Sequence, residues 1–487
     1  TVKETVLDWA LAEAKRLRVS GILCLGDMTA FGTLPAARRL GEKLRASGLP
    51  FWFTPGNAEL RQGNDLAELA RLIGAAAPPN ELLLLDTPKG KLDPASRTKL
   101  ETLLAENSAR NLLAAAHHPL KPLPEADRAL IEQAIERGII GQFIAGHAHF
   151  DHSAKNYDIV RGLDPDKAIG GPPGFAVFQC AKPGAAWRRK NIDFAAADAA
   201  SWPAEERAEL LGCLGISGME SPFETLQFAI DERIPVFELR YRNFSGEEEK
   251  TLRELLAQWR GTGGRILSLH LPELRWRDGG IAGRDELDRA AETAIRLGCD
   301  RVTFHVPAVS LREFCVPACY RRMREETVAA LGPLAAAGVA IGIENMHIKP
   351  GEKNNADRGF GYTIGECREW VLVLKKELGE NAVGFHFDLG HARNNPPFSS
   401  MQPVSTWYAL LGEWINGCHL HQVTTLANGE MDNHNPITAP FEPLISLASL
   451  FLAWRTGRIG HVPLILEIRH GGGPDSWRTL RNYLGDK

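Results

Sequence analysis

The chain has 487 residues, which at roughly 150 residues per core predicts two large domains or three smaller ones and excludes a small module. Its 44% hydrophobic and 24% charged residues are ordinary for a globular protein, and no run approaches the ~20 apolar residues of a membrane span. A net charge of −4 and a pI near 6.4 exclude a general basic field that would draw the chain to nucleic acid or anionic lipid. Eight cysteines without CxxC spacing predict buried, reduced thiols rather than a redox motif or a cysteine zinc site, and with no signal peptide the expected location is cytoplasmic. Thr1 is not a start methionine, so the chain is expected to be a fragment or a processed product.

The histidines divide the chain. None occurs in residues 1–116, five fall between His117 and His152, and ten between His270 and His470. The Ala-rich stretch 194–211, with Trp202-Pro203 inside it, reads as a connection, which predicts domains 1–198 and 213–487 with a linker at 199–212. In the first domain, short β-like runs (GILCLGD, PFWFTPGN, ELLLLDT, NLLAAAHHP, QFIAGHAH, GFAVFQC) alternate with helical stretches such as Thr5 to Leu17, so the expected class is mixed α/β. Four of these runs end in metal-ligand residue types: Asp27, Asn57, the pair His117 and His118, and His147 with His149. An aspartate, an asparagine oxygen and several histidines at strand ends can hold two metals, with the aspartate shared.

This ordered set resembles the calcineurin-like metallophosphoesterases, whose fold is an α/β sandwich with a two-metal site. The resemblance implies Asp27, Asn57, His117 and His147 as one complete metal site. His149 belongs to a second site, half of which is missing, because no DxH motif precedes Asp27. The family's GNH(D/E) motif reads Gly56-Asn57-Ala58-Glu59, so its usual general acid is absent. His118, or else His152, is the candidate substitute acid.

After residue 200 a regular alternation appears. Eight apolar runs (GISGM, PVFELRY, RILSLHLPE, RVTFHVP, VAIGIENM, VGFHFDLGH, INGCHLHQV, VPLILEI) are separated by seven helix-length stretches, the count and size of a (β/α)8 TIM barrel, whose active site lies where the strands end. The runs close on His270, His305, Glu344, Asp388 with His391, His419 with His421, and Glu467, and the loop after run seven adds Asp432 and His434. Carboxylates and imidazoles gathered at one mouth are the donors that Zn²⁺, Mn²⁺ or Mg²⁺ require. His347, His386, His461 and His470 read as structural. His421 reads equally as a ligand or a structural residue, because His419 holds the better-aligned position, and Glu238 reads either as a support or substrate contact or as a salt-bridge partner.

The segments ILSLH, TFHVP, IEN, FDLGH, CHLHQ, MDNH and LILE resemble the xylose isomerase-like barrel superfamily, in particular its endonuclease IV-type (AP endonuclease family 2) branch. That resemblance implies a trinuclear metal site on His270, His305, Glu344, Asp388, His391, His419, Asp432, His434 and Glu467, with Glu344 as bridging ligand or base. The expected activity is metal-dependent phosphoester hydrolysis by a two-domain enzyme. The alternative is a sugar or cyclitol isomerase/epimerase that holds one metal on Glu344, Asp388, His419 and Glu467, with Glu344 and Glu467 as the acid/base pair. A third reading makes both sites degenerate and the protein a sugar-phosphate sensor. The expected partner is a small phosphorylated or sugar-containing substrate, with no membrane. Nucleic acid draws no support from charge, since residues 201–487 carry 31 Lys plus Arg against 37 Asp plus Glu.

Overall fold

The computed structural model describes residues 1–485 except Asn64, Asn107 and Pro183, so the last two residues of the expected span 213–487 lie outside the described residues. The contacts divide the chain into two units, Lys3–Ala197 and Asp198–Lys487, the latter including Thr1–Val2. No helix among the described residues is long and apolar enough to cross a membrane. All eight cysteines are free thiols.

The first unit is α/β. Strands β1 (Ile22–Cys24) and β2 (Phe51–Phe53) pair in parallel. A second sheet has the order β3-β4-β5-β7-β6, from β3 (Leu82–Leu85), β4 (Leu112–Ala116), β5 (Ile140–Ala145), β6 (His152–Ala154) and β7 (Tyr157–Ile159). Strands β8 (Gly174–Cys180) and β9 (Trp187–Asp193) form an antiparallel hairpin. Each of the six apolar runs becomes a strand. Leu83, Leu85, Ala114, Ala116, Phe143 and Ala145 are spaced by two along their strands, so one face is continuous and buries Leu100, Leu104 and Ile131 of the covering helices. Parallel strands place their carboxyl ends along one edge, where ligands of α/β sheets gather.

The second unit is the expected closed barrel. Its strands are β10 (Leu214–Ser217), β11 (Val236–Arg240), β12 (Ile266–His270), β15 (Arg301–His305), β16 (Ala340–Glu344), β17 (Val383–Asp388), β18 (Ile415–Leu420) and β21 (Leu464–Leu466). Every neighbouring pair is parallel, and β21 closes onto β10. Two hairpins extend the loops beyond the strands: β13 (Arg275–Arg277) with β14 (Gly280–Ala282), and β19 (Gln422–Thr425) with β20 (Met431–Asn435). Outward residues such as Phe385 and Phe387 stack on Trp407, each buried side chain of this size contributing about 1.5–3 kcal/mol.

The stretch expected to be a linker is ordered within this unit. It forms the turn Ala199–Ser201 and the helix Ala204–Leu211, with Trp202 and Leu210 buried and Trp202 packed edge-on to Phe451. Its Ala and Glu content signals helix, and one indole and one leucine anchor it.

The lumen departs from the aliphatic filling usual in such barrels. Arg301, 3% exposed, extends inward from the start of β15. Its Nη1 donates to the Asn416 carbonyl at 2.8 Å, and its Nη2 donates to His386 Nδ1 at 2.8 Å and to Asn416 Oδ1 at 3.3 Å. Space for the guanidinium comes from glycine: a Cβ on Gly417 would stand 1.8 Å from Nη1 and one on Gly342 2.7 Å from Nη2. Burial lowers the Arg301 pKa to about 10, so it stays cationic at neutral pH.

Candidate functional site

Strand alternation puts residues two apart on the same face, so β12, β15, β16, β17 and β18 each carry a lumen-facing ladder that ends at the barrel mouth. The last rungs meet. Glu344 lies at their centre, fully enclosed, and its two oxygens face different partners. Oε2 is 2.8 Å from His305 Nε2 and 3.4 Å from His270 Nε2. Oε1 is 3.2 Å from His419 Nδ1. His419 Nδ1 also lies 3.3 Å from Glu467 Oε2 and 3.8 Å from Asp388 Oδ2. Two donors each about 2.1 Å from one ion at tetrahedral or octahedral angles are roughly 3.0–3.5 Å apart, so these spacings fit shared cations. Among the described residues four donor groups result in the barrel: His270, His305 and Glu344; His270, His419 and Glu467; Glu344, Asp388, His419 and Glu467; and His391, His421 and His434.

Backbone carbonyls orient several of these rings. Nδ1 of His270 donates to Leu271 O at 2.9 Å, that of His391 to Asn345 O at 3.0 Å, and that of His434 to Glu467 O at 3.1 Å. Each therefore presents the lone pair of Nε2. Electrostatics favour cations as well. Burial alone lowers the His419 pKa, yet Glu467, Glu238 and Glu344 outweigh it and hold the imidazole well above its usual range. Burial raises Glu344, but His305 and His419 hold its carboxyl well below the ordinary value. The pocket carries more buried anionic charge than it neutralises except by protonating histidines, and divalent ions relieve that excess.

Asp432 stands outside all four groups. It is partly exposed, and its Oδ2 accepts from Asn435 Nδ2 at 3.3 Å. A spacing of two on a strand would aim Asp432 and His434 to one side, but His434 has φ +60°, and that left-handed residue breaks the alternation. His421 joins His391 and His434 instead. Its Nδ1 accepts the His434 amide at 2.9 Å and its Nε2 faces both Asp388 oxygens at 3.1 Å, so it orients Asp388.

In the first unit a second cluster forms at strand ends. His117 Nδ1 donates to Leu25 O at 2.7 Å, leaving Nε2 as a lone pair. That nitrogen lies 3.1 Å from Asn57 Oδ1, 3.0 Å from His147 Nδ1 and 3.6 Å from Asp27 Oδ1. Converging acceptors of this kind suit one cation. Asp27, His147 and His149 all have φ between +51° and +64°, the strained conformation that clusters at functional sites. Two glycines permit the approach: a Cβ on Gly56 would meet Asp27 Oδ1 at 2.3 Å and one on Gly26 would meet His117 Nδ1 at 2.5 Å. His118 is buried against His147 with its Nδ1 unpaired. His149 lies outside this group, beside Lys167 and Asp164, and burial first, then Lys167, lowers its pKa to about 4. His152 is exposed on β6, its ring against Tyr157.

A family model described as xylose isomerase-like TIM barrel matches residues 214–484, more than half of the chain. The chain belongs to the xylose isomerase-like TIM barrel family, AP endonuclease family 2. No curated protein matches it. Among solved structures it is similar to a D-tagatose 3-epimerase-like protein (19% identity, 56% of this chain and 96% of that one, TM-score 0.42). It is also similar to an AP endonuclease, family 2, from Brucella melitensis (17%, 56% and 99%, 0.40) and to endonuclease IV from Thermus thermophilus (20%, 56% and 98%, 0.37).

Of three residues that position these sites, Asn345 and Glu59 escape the strand-end signal, while Glu238 is already a candidate support. In the xylose isomerase-like barrel, Asn345 ties β16 to β17, accepting from the Asp388 amide at 2.8 Å and donating to its carbonyl at 3.0 Å. Glu238 sits under His419. In the first unit, Glu59 is buried and accepts from the amides of Gly56 (2.8 Å), Asp27 (2.9 Å) and Thr29 (3.1 Å). It fastens the Asp27 loop to the Asn57 loop, a task the acidic fourth residue of the GNxE pattern could have signalled. Glu59→Gln turns an amide toward these donors, at a cost of about 1–3 kcal/mol and roughly tenfold faster amide exchange across residues 26–29 and 56–59. Hydrogen-exchange mass spectrometry of the full chain checks it; unchanged exchange would refute the role.

Proposed function

We propose that the barrel is a metal-dependent hydrolase of phosphoester bonds with more than one cation at its mouth. The observation that supports this is Glu344, whose Oε2 faces His270 and His305 while its Oε1 faces His419, which is grouped in turn with Asp388 and Glu467. A single-cation isomerase has no use for the first set. When bound, divalent cations supply Lewis acidity toward a phosphoryl oxygen and a water of lowered pKa. Glu344 would be shared between them, His270 and His305 would hold one, and Asp388, His419 and Glu467 would hold the next. Zn²⁺ or Mn²⁺ suits this mixed donor set, and Mg²⁺ suits the carboxylates.

The first unit is read as a calcineurin-like phosphoesterase domain with one cation on Asp27, Asn57, His117 and His147, and with His118 as the candidate acid where Ala58 cannot serve. Free thiols throughout favour a cytoplasmic setting. The substrate class is a small phosphorylated or sugar-containing molecule. Near balance of Lys/Arg and Asp/Glu on the loops after the strands gives a polyanion no grip.

A second reading draws on the group Glu344, Asp388, His419 and Glu467, which is complete in itself. It would serve an isomerase or epimerase with Glu344 and Glu467 exchanging protons with a sugar carbon. A panel of phosphomonoesters, an abasic-site duplex and ketoses, run with Mn²⁺ and with Zn²⁺, separates the two. Phosphate or strand cleavage that disappears on chelation is expected. Solvent deuterium entering a ketose beside its carbonyl, with no hydrolysis, would replace the proposal by the second reading.

A further inference from the structure

We infer that Glu238 is a positioning residue of the barrel centre, fixing the tautomer of His419 from across the lumen so that Nδ1 faces the cation-holding carboxylates. The inference rests on the metal-centre reading above. Glu238 is wholly enclosed, and donors from three strands use its oxygens. Oε1 accepts from His419 Nε2 at 2.9 Å, while Oε2 accepts from Ser268 Oγ at 2.8 Å and Thr303 Oγ1 at 3.0 Å. Among the described residues its one ion-pair partner is His419.

The arrangement inverts that of the neighbouring rings. His270, His391 and His434 give Nδ1–H to a backbone carbonyl and present Nε2. His419 gives Nε2–H to a carboxylate and presents Nδ1, which lies 3.2 Å from Glu344 and 3.3 Å from Glu467. A carboxylate behind a ligating imidazole fixes its orientation and makes it a stronger donor than a neutral carbonyl does. The edge of His386, with ring centroids 4.1 Å apart, blocks rotation of the His419 ring. Glu238 thus acts on the centre through His419.

A buried Glu–His pair that only stabilises the barrel would look similar, so the test reads the metal. Glu238→Gln keeps the shape. Its amide oxygen accepts from His419 and its NH₂ donates to the Ser268 or Thr303 hydroxyl, but the charge behind the imidazole is gone. Co²⁺ is titrated into the full chain carrying His117→Ala, which removes the first unit's site, with and without Glu238→Gln. Calorimetry gives affinity, visible absorption reports the ligand field, and thermal melting of the metal-free protein controls for folding. The expected result is about 10–100-fold weaker Co²⁺ binding in one class of barrel sites, with a shifted absorption band and a melting temperature held within a few degrees. Equal affinity and an identical band would overturn the role of Glu238 and leave the metal centre standing. Failure of the His117→Ala chain itself to bind Co²⁺ would overturn the metal centre as well. Should Glu238→Gln not fold, Ser268→Ala, which frees one side of the carboxylate without removing it, is expected to weaken Co²⁺ in the same direction, and unchanged binding there would refute the inference.

Discussion

Glu344→Gln should lower phosphoester hydrolysis by about 10³-fold, the scale on which loss of a group that stabilises transition-state charge is felt. Glutamine preserves volume and one acceptor, but its NH₂ cannot hold a cation, and whichever donor set it faces loses its shared ligand. His270 and His305 then keep no carboxylate closer than Glu467, 4.0 Å from His270. Bound metal should fall by one ion per chain in elemental analysis, and kcat should fall more than KM rises, because Glu344 acts on the reacting centre. The assay runs in a His117→Ala background so that the first unit adds nothing. Hydrolysis at the parent rate by Glu344→Gln would remove this carboxylate from the chemistry.

Arg301→Met has the largest expected effect on stability. The guanidinium spans His386 and Asn416 inside a lumen cleared by Gly342 and Gly417. Methionine takes the Arg301 donors away from His386 Nδ1 and the Asn416 carbonyl and removes a buried positive charge that interacts with Glu238 and Glu344. The expected cost is about 3–5 kcal/mol, as for other broken buried charge networks, lowering the barrel's calorimetric transition by about 10 °C. Lysine should not rescue it, because one ammonium cannot reproduce the planar fork that reaches both partners. A loss below about 1 kcal/mol would mean that the lumen relaxes around the gap.

The barrel was legible because its strands are buried on both faces and read as eight apolar runs, six of them closing at the mouth on His, Glu or Asp. The strand-end rule carries His270, His305, Glu344, Asp388, His419 and Glu467 into one site. It misses Arg301, which acts from within the lumen, and leaves Glu238 open between a support or substrate contact and a salt bridge. Glu238 and Arg301 are polar groups inside strands, and a linear pattern does not reveal which residues lie across the lumen from one another. Asp432 fails for a local reason, since one left-handed residue reverses the alternation that its spacing from His434 presumes. His421 stays undecided beside the better-aligned His419; it stands one residue past the end of β18, just before β19, and joins His391 and His434. In the first unit the GD and GN dipeptides, individually ordinary turn chemistry, gain meaning from distance: Asp27, Asn57, His117 and His147 come from four separate strand ends and converge on one nitrogen.

The most direct measurement is an anomalous difference map from crystals of the full chain grown with Zn²⁺, recorded on both sides of the zinc edge. Two cations sharing Glu344 predict separate peaks on its two sides, one against His270 and His305 and one against Asp388, His419 and Glu467. A single peak confined to the Asp388 side, with His270 and His305 bound to nothing but Glu344, would contradict a shared carboxylate and favour the one-cation isomerase.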